Sequence, residues 1–289
     1  MASSAFNTGG SLPRRQFINR VMGALLCLSA AVALTPLLLV IGFILANGIS
    51  GINLDLLTKL PKPVGELGGG MGNAFLGTAI LIALASLFGV PIGVLAGIYL
   101  SEFGNTGFAR ILRFLTDVLT GVPSIIIGIV AYTLVVVPTH SFSAVAGGVA
   151  LAIIMIPVVT RTTEEALRRV PNALREASLG LGVHEWKTMM YIVLPAGLGG
   201  IVTGVMLAIA RISGETAPLL FTAFGSRFWQ DGLGNPIAAV PLQVYKYALA
   251  PYKDWHDQAW AAAFILMMLI LILNVGVRVV TRSGFQKIR

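Results

Sequence analysis

A chain of 289 residues that is 56% hydrophobic and only 11% charged, with a mean hydropathy of +0.86, is built for lipid, since soluble domains carry about 25% charged residues. Its formal charge of +8 would suit nucleic acid in a soluble protein, but lysines and arginines cluster here at the ends of apolar runs, a pattern of membrane topology that removes nucleic acid as a partner. One cysteine, Cys27, forms no internal disulfide, and His140, His184 and His256 are too widely separated for a metal or catalytic constellation, so an enzyme is not the expectation.

Residues 1–20 are small and polar and read as a tail. Arg14, Arg15 and Arg20, an apolar stretch and Ala31-Val32-Ala33 imitate a secretion signal, but the uncharged run continues from Val21 to Ala46, too long for a signal core. A spanning helix needs about 20 mostly apolar residues. Runs of that kind cover 21–46, 72–100, 115–137, 142–160, 188–210 and 258–280. They predict an all-α polytopic membrane protein with six transmembrane helices: a first helix at 21–46, a core of five further spans over 72–280 and a tail at 281–289. Within the second span Gly89, Gly93 and Gly97 recur every four residues, which predicts a face for close helix packing. Asp117, near the start of the third span in FLTDVLTGVPS, is expected to be structural, partnered by Thr116, Thr120 or Arg113, with Ser124 grouped beside it as a structural or gating position. Pro138-Thr139-His140-Ser141 predicts a tight connection between the third and fourth spans and leaves His140 in a loop.

Six spans put both termini on one side. If that side is the cytoplasm, most of the cations are inside, including Arg110, Arg113, Arg161, Arg168, Arg169, Arg175 and Lys187, whereas Lys59, Lys62, Arg227, Lys246 and Lys253 fall outside. The excess predicts cytoplasmic termini in the plasma (cell inner) membrane.

The loop after the fourth span, REASLGLGVHEWKTMMYIVLP, is charged yet carries Leu179, Val183, Trp186 and Met190 at steps of four, three and four, an apolar helical stripe. Gly180 and Gly182 predict a helix, a glycine turn and a second short helix. On periodicity alone, a helix lying on the lipid surface fits equally well. The spacing Glu176-Ala177, Gly182, Ile192 and Leu194-Pro195 resembles the cytoplasmic loop of ABC importer permeases, with Ser178 where many members have alanine. The resemblance implies a coupling helix that docks an ATPase through Glu176, Ala177, Leu179, Gly182, Val183 and Trp186. An apolar stripe with a charged rim suits a helix-in-groove contact independently of that likeness. No phosphate-binding loop is present, because Lys187-Thr188 is preceded by Trp186 and not by a glycine-rich cradle.

At the end of the fifth span, ARISGETAPLL places Arg211 and Glu215 four residues apart. Two readings stay open: the pair neutralises itself and fixes packing, or Arg211 offers a planar fork of donors to an oxyanion while Gly214 and Pro218 break the helix beside it. Ser213 and Thr216 then join the substrate path. The run TAPLLFTAFGS, Thr216 to Ser226, is too short to cross and predicts a re-entrant segment shielded by protein. The stretch 227–257 is expected outside as an interfacial surface.

GETAPLLFTA together with DVLTGVPSIIIG resembles the phosphate-specific permeases, the A-type subunit over its C-type partner, across roughly residues 70–285. That resemblance implies a heterodimer with a homologous C-type permease, two ATPase subunits that bind the ATP, and a periplasmic or extracellular phosphate-binding protein, with no cofactor in this chain. Arg211 chemistry by itself indicates an anion. Sulfate, molybdate or phosphonate remain alternative cargoes, and a secondary anion transporter is the rival class.

Overall fold

The computed structural model describes residues 12–285, and these are helical apart from short connections, with no strand among them. The N-terminal tail expected over 1–20 is shorter: α1 (Leu12–Gly48) already includes Arg14, Arg15 and Arg20, and only residues 1–11 of that tail lie outside the described residues. A short α2 (Leu54–Thr58), capped by the Asn53 side chain accepting from the Leu56 amide at 2.7 Å, leads into a hairpin-like turn. Next comes α3 (Gly72–Glu102), close to the second expected span.

The third expected span is not a single rod. Thr106 caps α4 (Gly107–Gly121), and α5 (Ser124–Thr139) leaves it at 107°. The break falls at Val122-Pro123, where the proline disfavours helical backbone at the residue before it and starts a new helix after it. Among the described residues five helices are long and apolar enough to cross a membrane, or six if the bent α4–α5 pair is one span.

Ser143 caps α6 (Ala144–Arg168) by accepting from the Ala146 amide at 3.1 Å. This helix outruns the expected 142–160, so Arg161, Glu164 and Arg168 belong to it and not to a loop. Pro171 then opens α7 (Asn172–Gly180), and α8 (Glu185–Ser213) comes after a turn. The second short helix expected after the glycine turn is thus the first turns of the fifth span. Beyond it lie the short α9 (Ala217–Thr222), α10 (Val240–Ala248) within the stretch expected as an interfacial surface, and α11 (Lys253–Phe285). The tail expected at 281–289 is helical as far as Phe285, and 286–289 lie outside the described residues.

Two helices widen by one residue just before a proline. The Val137 amide bonds the Tyr132 carbonyl ahead of Pro138, and the Leu194 amide bonds the Met189 carbonyl ahead of Pro195. Proline has no N–H and crowds the carbonyl four residues back, so a π turn relieves both defects without ending the helix. His140 then closes α5 in a left-handed conformation, exposed in its connection as expected.

The core is the α3–α6 contact. A Cβ placed on Gly89, Gly93 or Gly97 would lie 3.1, 2.7 and 2.5 Å from Met155, Val159 and Thr163, so the three glycines are what let the two backbones close. Leu81, Ala85, Leu151, Met155 and Val159 are buried along this seam, joined by Ile212 and Leu219. By contrast α1 touches the rest mainly through α11, with Phe43 and Trp260 rings 6.0 Å apart, and leaves most of its apolar surface exposed.

Candidate functional site

At one end of the bundle α7 and the start of α8 form a protruding knob. Its turn is a helix stop: the Gly182 amide bonds the Leu179 carbonyl at 2.9 Å and the Val183 amide bonds the Ser178 carbonyl at 3.2 Å. Gly182 has φ +78°, a left-handed position that disfavours any Cβ. Beneath the turn the buried hydroxyls of Ser178 and Thr188 lie 2.8 Å apart and clasp the two arms. Leu181 at the tip is 84% exposed, and Leu179, Trp186 and Met190 are exposed beside it, with Val183 half-buried. The stripe is therefore real but shared by two arms and not carried on one helix. Glu176 and Ala177 are exposed on α7, and Lys187 lies over the Trp186 ring. The knob is anchored by Arg175, which donates to the Glu102 carboxylate on α3 and to the Leu167 carbonyl.

Toward the other end, Arg211 lies in the last turn of α8 and Glu215 one turn on, beyond the Gly214 cap, with Nε and Oε1 3.7 Å apart. The arginine side chain is 43% exposed and the glutamate 18%. The corner offers a guanidinium that a carboxylate steadies but does not cover. Ser213 is buried and its hydroxyl donates to the Ile209 carbonyl at 2.7 Å, so it is engaged inside the helix. Thr216 is half-buried, and its carbonyl accepts from Leu219 and Leu220. The amides of Gly214 and Glu215 bond the Arg211 and Ile212 carbonyls, so they close α8 and are not free donors.

The segment 216–226 has the form of the re-entrant element expected there. α9 is buried between α5 and α6, with Pro218 so close to Gly128 that a Cβ there would sit 2.6 Å from the proline Cα. Its exit carries irregular backbone, Phe224 at φ 59° and Gly225 at φ 89°, and protein groups satisfy it: Ser143 N–H donates to the Thr222 carbonyl and Ile237 N–H to the Ala223 carbonyl.

Asp117 is partnered, but by a different residue from those expected. It pairs with Arg161 on α6, while the Thr116 and Thr120 hydroxyls donate to the carbonyls four residues back and Arg113 turns to Glu164. Glu164, 5% exposed, receives Arg113 at 2.7 Å and Arg168 at 2.9 Å. Sequence reasoning missed this centre; its available signal was the i, i+4 spacing of Glu164 and Arg168. Ser124 is half-buried as the first residue of α5, directly after the 107° corner.

A helical bundle with a half-crossing segment shielded at mid-bundle and an exposed two-arm knob is an architecture of transport permeases, and residues 89–284 match the family described as the binding-protein-dependent transport system inner membrane component. The chain belongs to that family. Its relatives include the phosphate transport system permease protein PstA of Xylella fastidiosa (strain Temecula1), 43% identical over 92% of this chain and 93% of that one. The PstA of Haemophilus influenzae is 43% identical over 91% and 94%, and that of Mycobacterium leprae 37% identical over 91% and 88%. Among solved structures, a bacterial ABC transporter for alginate import superposes with a TM-score of 0.65 at 14% identity, covering 94% of this chain and 98% of that one. The MetNI methionine transporter in an inward-facing form gives 0.61 at 20% identity over 74% and 96%. These two likenesses establish the fold.

Proposed function

We propose that this chain is the membrane-spanning permease subunit of an ATP-driven importer of inorganic phosphate, working by alternating access. The observation that carries the reading is the Arg211 corner: an uncovered guanidinium where a spanning helix gives way to a shielded half-helix, in a chain whose relatives are named for phosphate transport. Guanidinium binds phosphate bidentately, and Glu215 holds it by charge without blocking its outer face. The 176–190 knob docks an ATPase, with Leu179, Leu181 and Trp186 supplying apolar contact and Glu176 orientation. ATP is bound by two such partner subunits; the chain itself has no phosphate-binding loop and uses no cofactor. A homologous permease completes the pore, and a phosphate-binding protein delivers cargo to the face opposite the knob. Both termini and the knob lie on the cytoplasmic side.

The test is uptake of labelled phosphate by proteoliposomes holding the complex purified through this chain. Arg211→Gln is expected to remove uptake with the complex still assembled, and Glu176→Lys to release the ATPase from a folded pore. Normal uptake in Arg211→Gln, or accumulation of sulfate in preference to phosphate, would overturn the reading.

A further inference from the structure

At the end of the bundle away from the knob lies a cavity of about 200 Å³ that the Arg211 corner does not use. Lys62, Arg227 and Lys246 line it together with Gln243, Tyr247 and Trp255, so three cations and no carboxylate face one space. Grouping like charges costs energy unless something offsets it. Asp254 is close enough for its charge to act on Tyr247, but it does not line the cavity, and its carboxylate accepts from the Gly68 amide and from Gln258.

The two lysines are held at their ammonium groups and Arg227 through its loop. Asn73, 3% exposed, donates from Nδ2 to the carbonyls of Ser226 and Phe228 at 2.9 and 3.4 Å, pinning the loop on both sides of Arg227. Arg227 has no ion-pair partner among the described residues. Lys246 Nζ donates to the Phe224 carbonyl at 2.9 Å and Lys62 Nζ to the Leu67 carbonyl at 2.9 Å, which leaves each ammonium further donors. One wall is stiff: Trp255 stacks on Tyr247 at 4.4 Å, and buried Gln243 lies beside them. Gly225 lines the cavity at φ +89°, a conformation that strains any side chain, and a Cβ there would push on Lys246 Nζ from 2.9 Å.

We propose that this cavity is an anion-holding site, in which Lys62, Arg227 and Lys246 together bind inorganic phosphate at the outer face, separate from Arg211. The choice of phosphate rests on the functional reading above; the three-cation cavity does not. The chemistry suits a tetrahedral ion with several acceptor oxygens, met by a planar fork and two ammonium groups. The site also touches the half-helix, since the Lys246 ammonium that would bind the ion also donates to the Phe224 carbonyl at the exit of α9. Cargo released outside would thus be held beside the segment that must move to admit it.

The experiment is amine labelling of the full chain in its purified complex, read residue by residue by mass spectrometry. Lys246 suits it, because burial and then the nearby Arg227 charge lower its pKa and raise its reactivity near neutral pH. Millimolar phosphate is expected to slow labelling of Lys62 and Lys246 by about fivefold through mass action, with Lys59 as internal reference. Sodium chloride or acetate at matched ionic strength is expected to leave both rates unchanged. Arg227→Gln should remove the protection and Gly225→Ala should weaken it, whereas Arg211→Gln should keep it while losing uptake, which separates failure of this site from failure of the transport assignment. Equal rates in phosphate and chloride, or protection that survives Arg227→Gln, would overturn the proposal.

Discussion

Ser178→Ala tests whether the knob is a rigid body. The Ser178 and Thr188 hydroxyls, each in a residue 4% exposed, form a 2.8 Å bond across the two arms. A buried hydroxyl pair contributes about 0.5–1.5 kcal/mol net, and leaving one partner unmet costs about 1–3 kcal/mol. Here each freed hydroxyl has an outlet, the carbonyl one turn earlier, which Thr162, Thr203 and Thr222 already use in this chain. The expected cost is therefore near 1 kcal/mol, about fivefold in the equilibrium that parts the arms. Backbone hydrogen exchange reads it at Gly182 and Val183, whose amides bond the Leu179 and Ser178 carbonyls across the turn. Ser178→Ala and Thr188→Val should each speed exchange there by about fivefold, and the double variant should add nothing, since one bond is lost only once. Single variants that leave the rates alone, or a double variant whose effects multiply, would refute the clasp.

Three further outcomes rest on contacts elsewhere in the bundle. Glu164→Gln should lower stability by about 1.5–3 kcal/mol in detergent unfolding, because it strips charge from a buried acceptor of two arginines; Glu165→Gln, whose side chain is 62% exposed, should cost less than about 0.5 kcal/mol. Gly97→Ala should cost about 1–3 kcal/mol by forcing α3 off Thr163, while Gly180→Ala, with open space around it, should be neutral or gain up to about 1 kcal/mol in the same assay. For Lys246, a folded pKa below the ordinary 10.5 means that the folded state binds fewer protons between the two values, so stability rises with pH through that window. Lys246→Gln should flatten that rise in unfolding curves taken across it, and Arg227→Gln should shift the Lys246 labelling profile toward higher pH.

Hydropathy located the helices that lipid must accept, because a span needs only length and apolarity, and glycine spacing located the α3–α6 seam because close approach needs missing side chains. The knob was legible through its charge and its glycine turn. The break at Val122-Pro123 was not, since the residues on both sides stay apolar enough to read as one span and only the proline marks the corner. The partner of Asp117 was equally hidden: Arg161 is 44 residues away, and which helix faces which is a tertiary fact that local spacing does not encode. Arg211 and Glu215 were readable because both lie on one chain segment, whereas the Lys62, Arg227 and Lys246 cavity draws on two connections and α10.

Among the described residues the ion pairs gather toward the knob end apart from Lys59–Asp55 and Arg211–Glu215, and their placement bears on how motion would travel. Arg175 ties the knob to Glu102 at the end of α3, Arg113 and Arg168 share Glu164 between α4 and α6, and Arg161 meets Asp117 across the same two helices. Only Glu164 among these carboxylates is buried, so losing its two arginines would incur a large desolvation cost and α4 and α6 are held together there, whereas Arg161 and Asp117 are half exposed and hold them weakly. We expect a pull on the knob to reach α3 through Arg175 and Glu102, with the 107° corner and the π turn at Met189–Val193 as the irregular points of the chain. Glu102→Gln isolates this role, because the knob's exposed Leu179, Leu181 and Trp186 do not depend on it. The variant is expected to keep the ATPase bound at wild-type stoichiometry and to hydrolyse ATP, yet to take up phosphate several-fold more slowly per ATP. Unchanged uptake per ATP would mean that force reaches the bundle through α8 alone, and loss of the ATPase would mean that the pair shapes the docking surface itself.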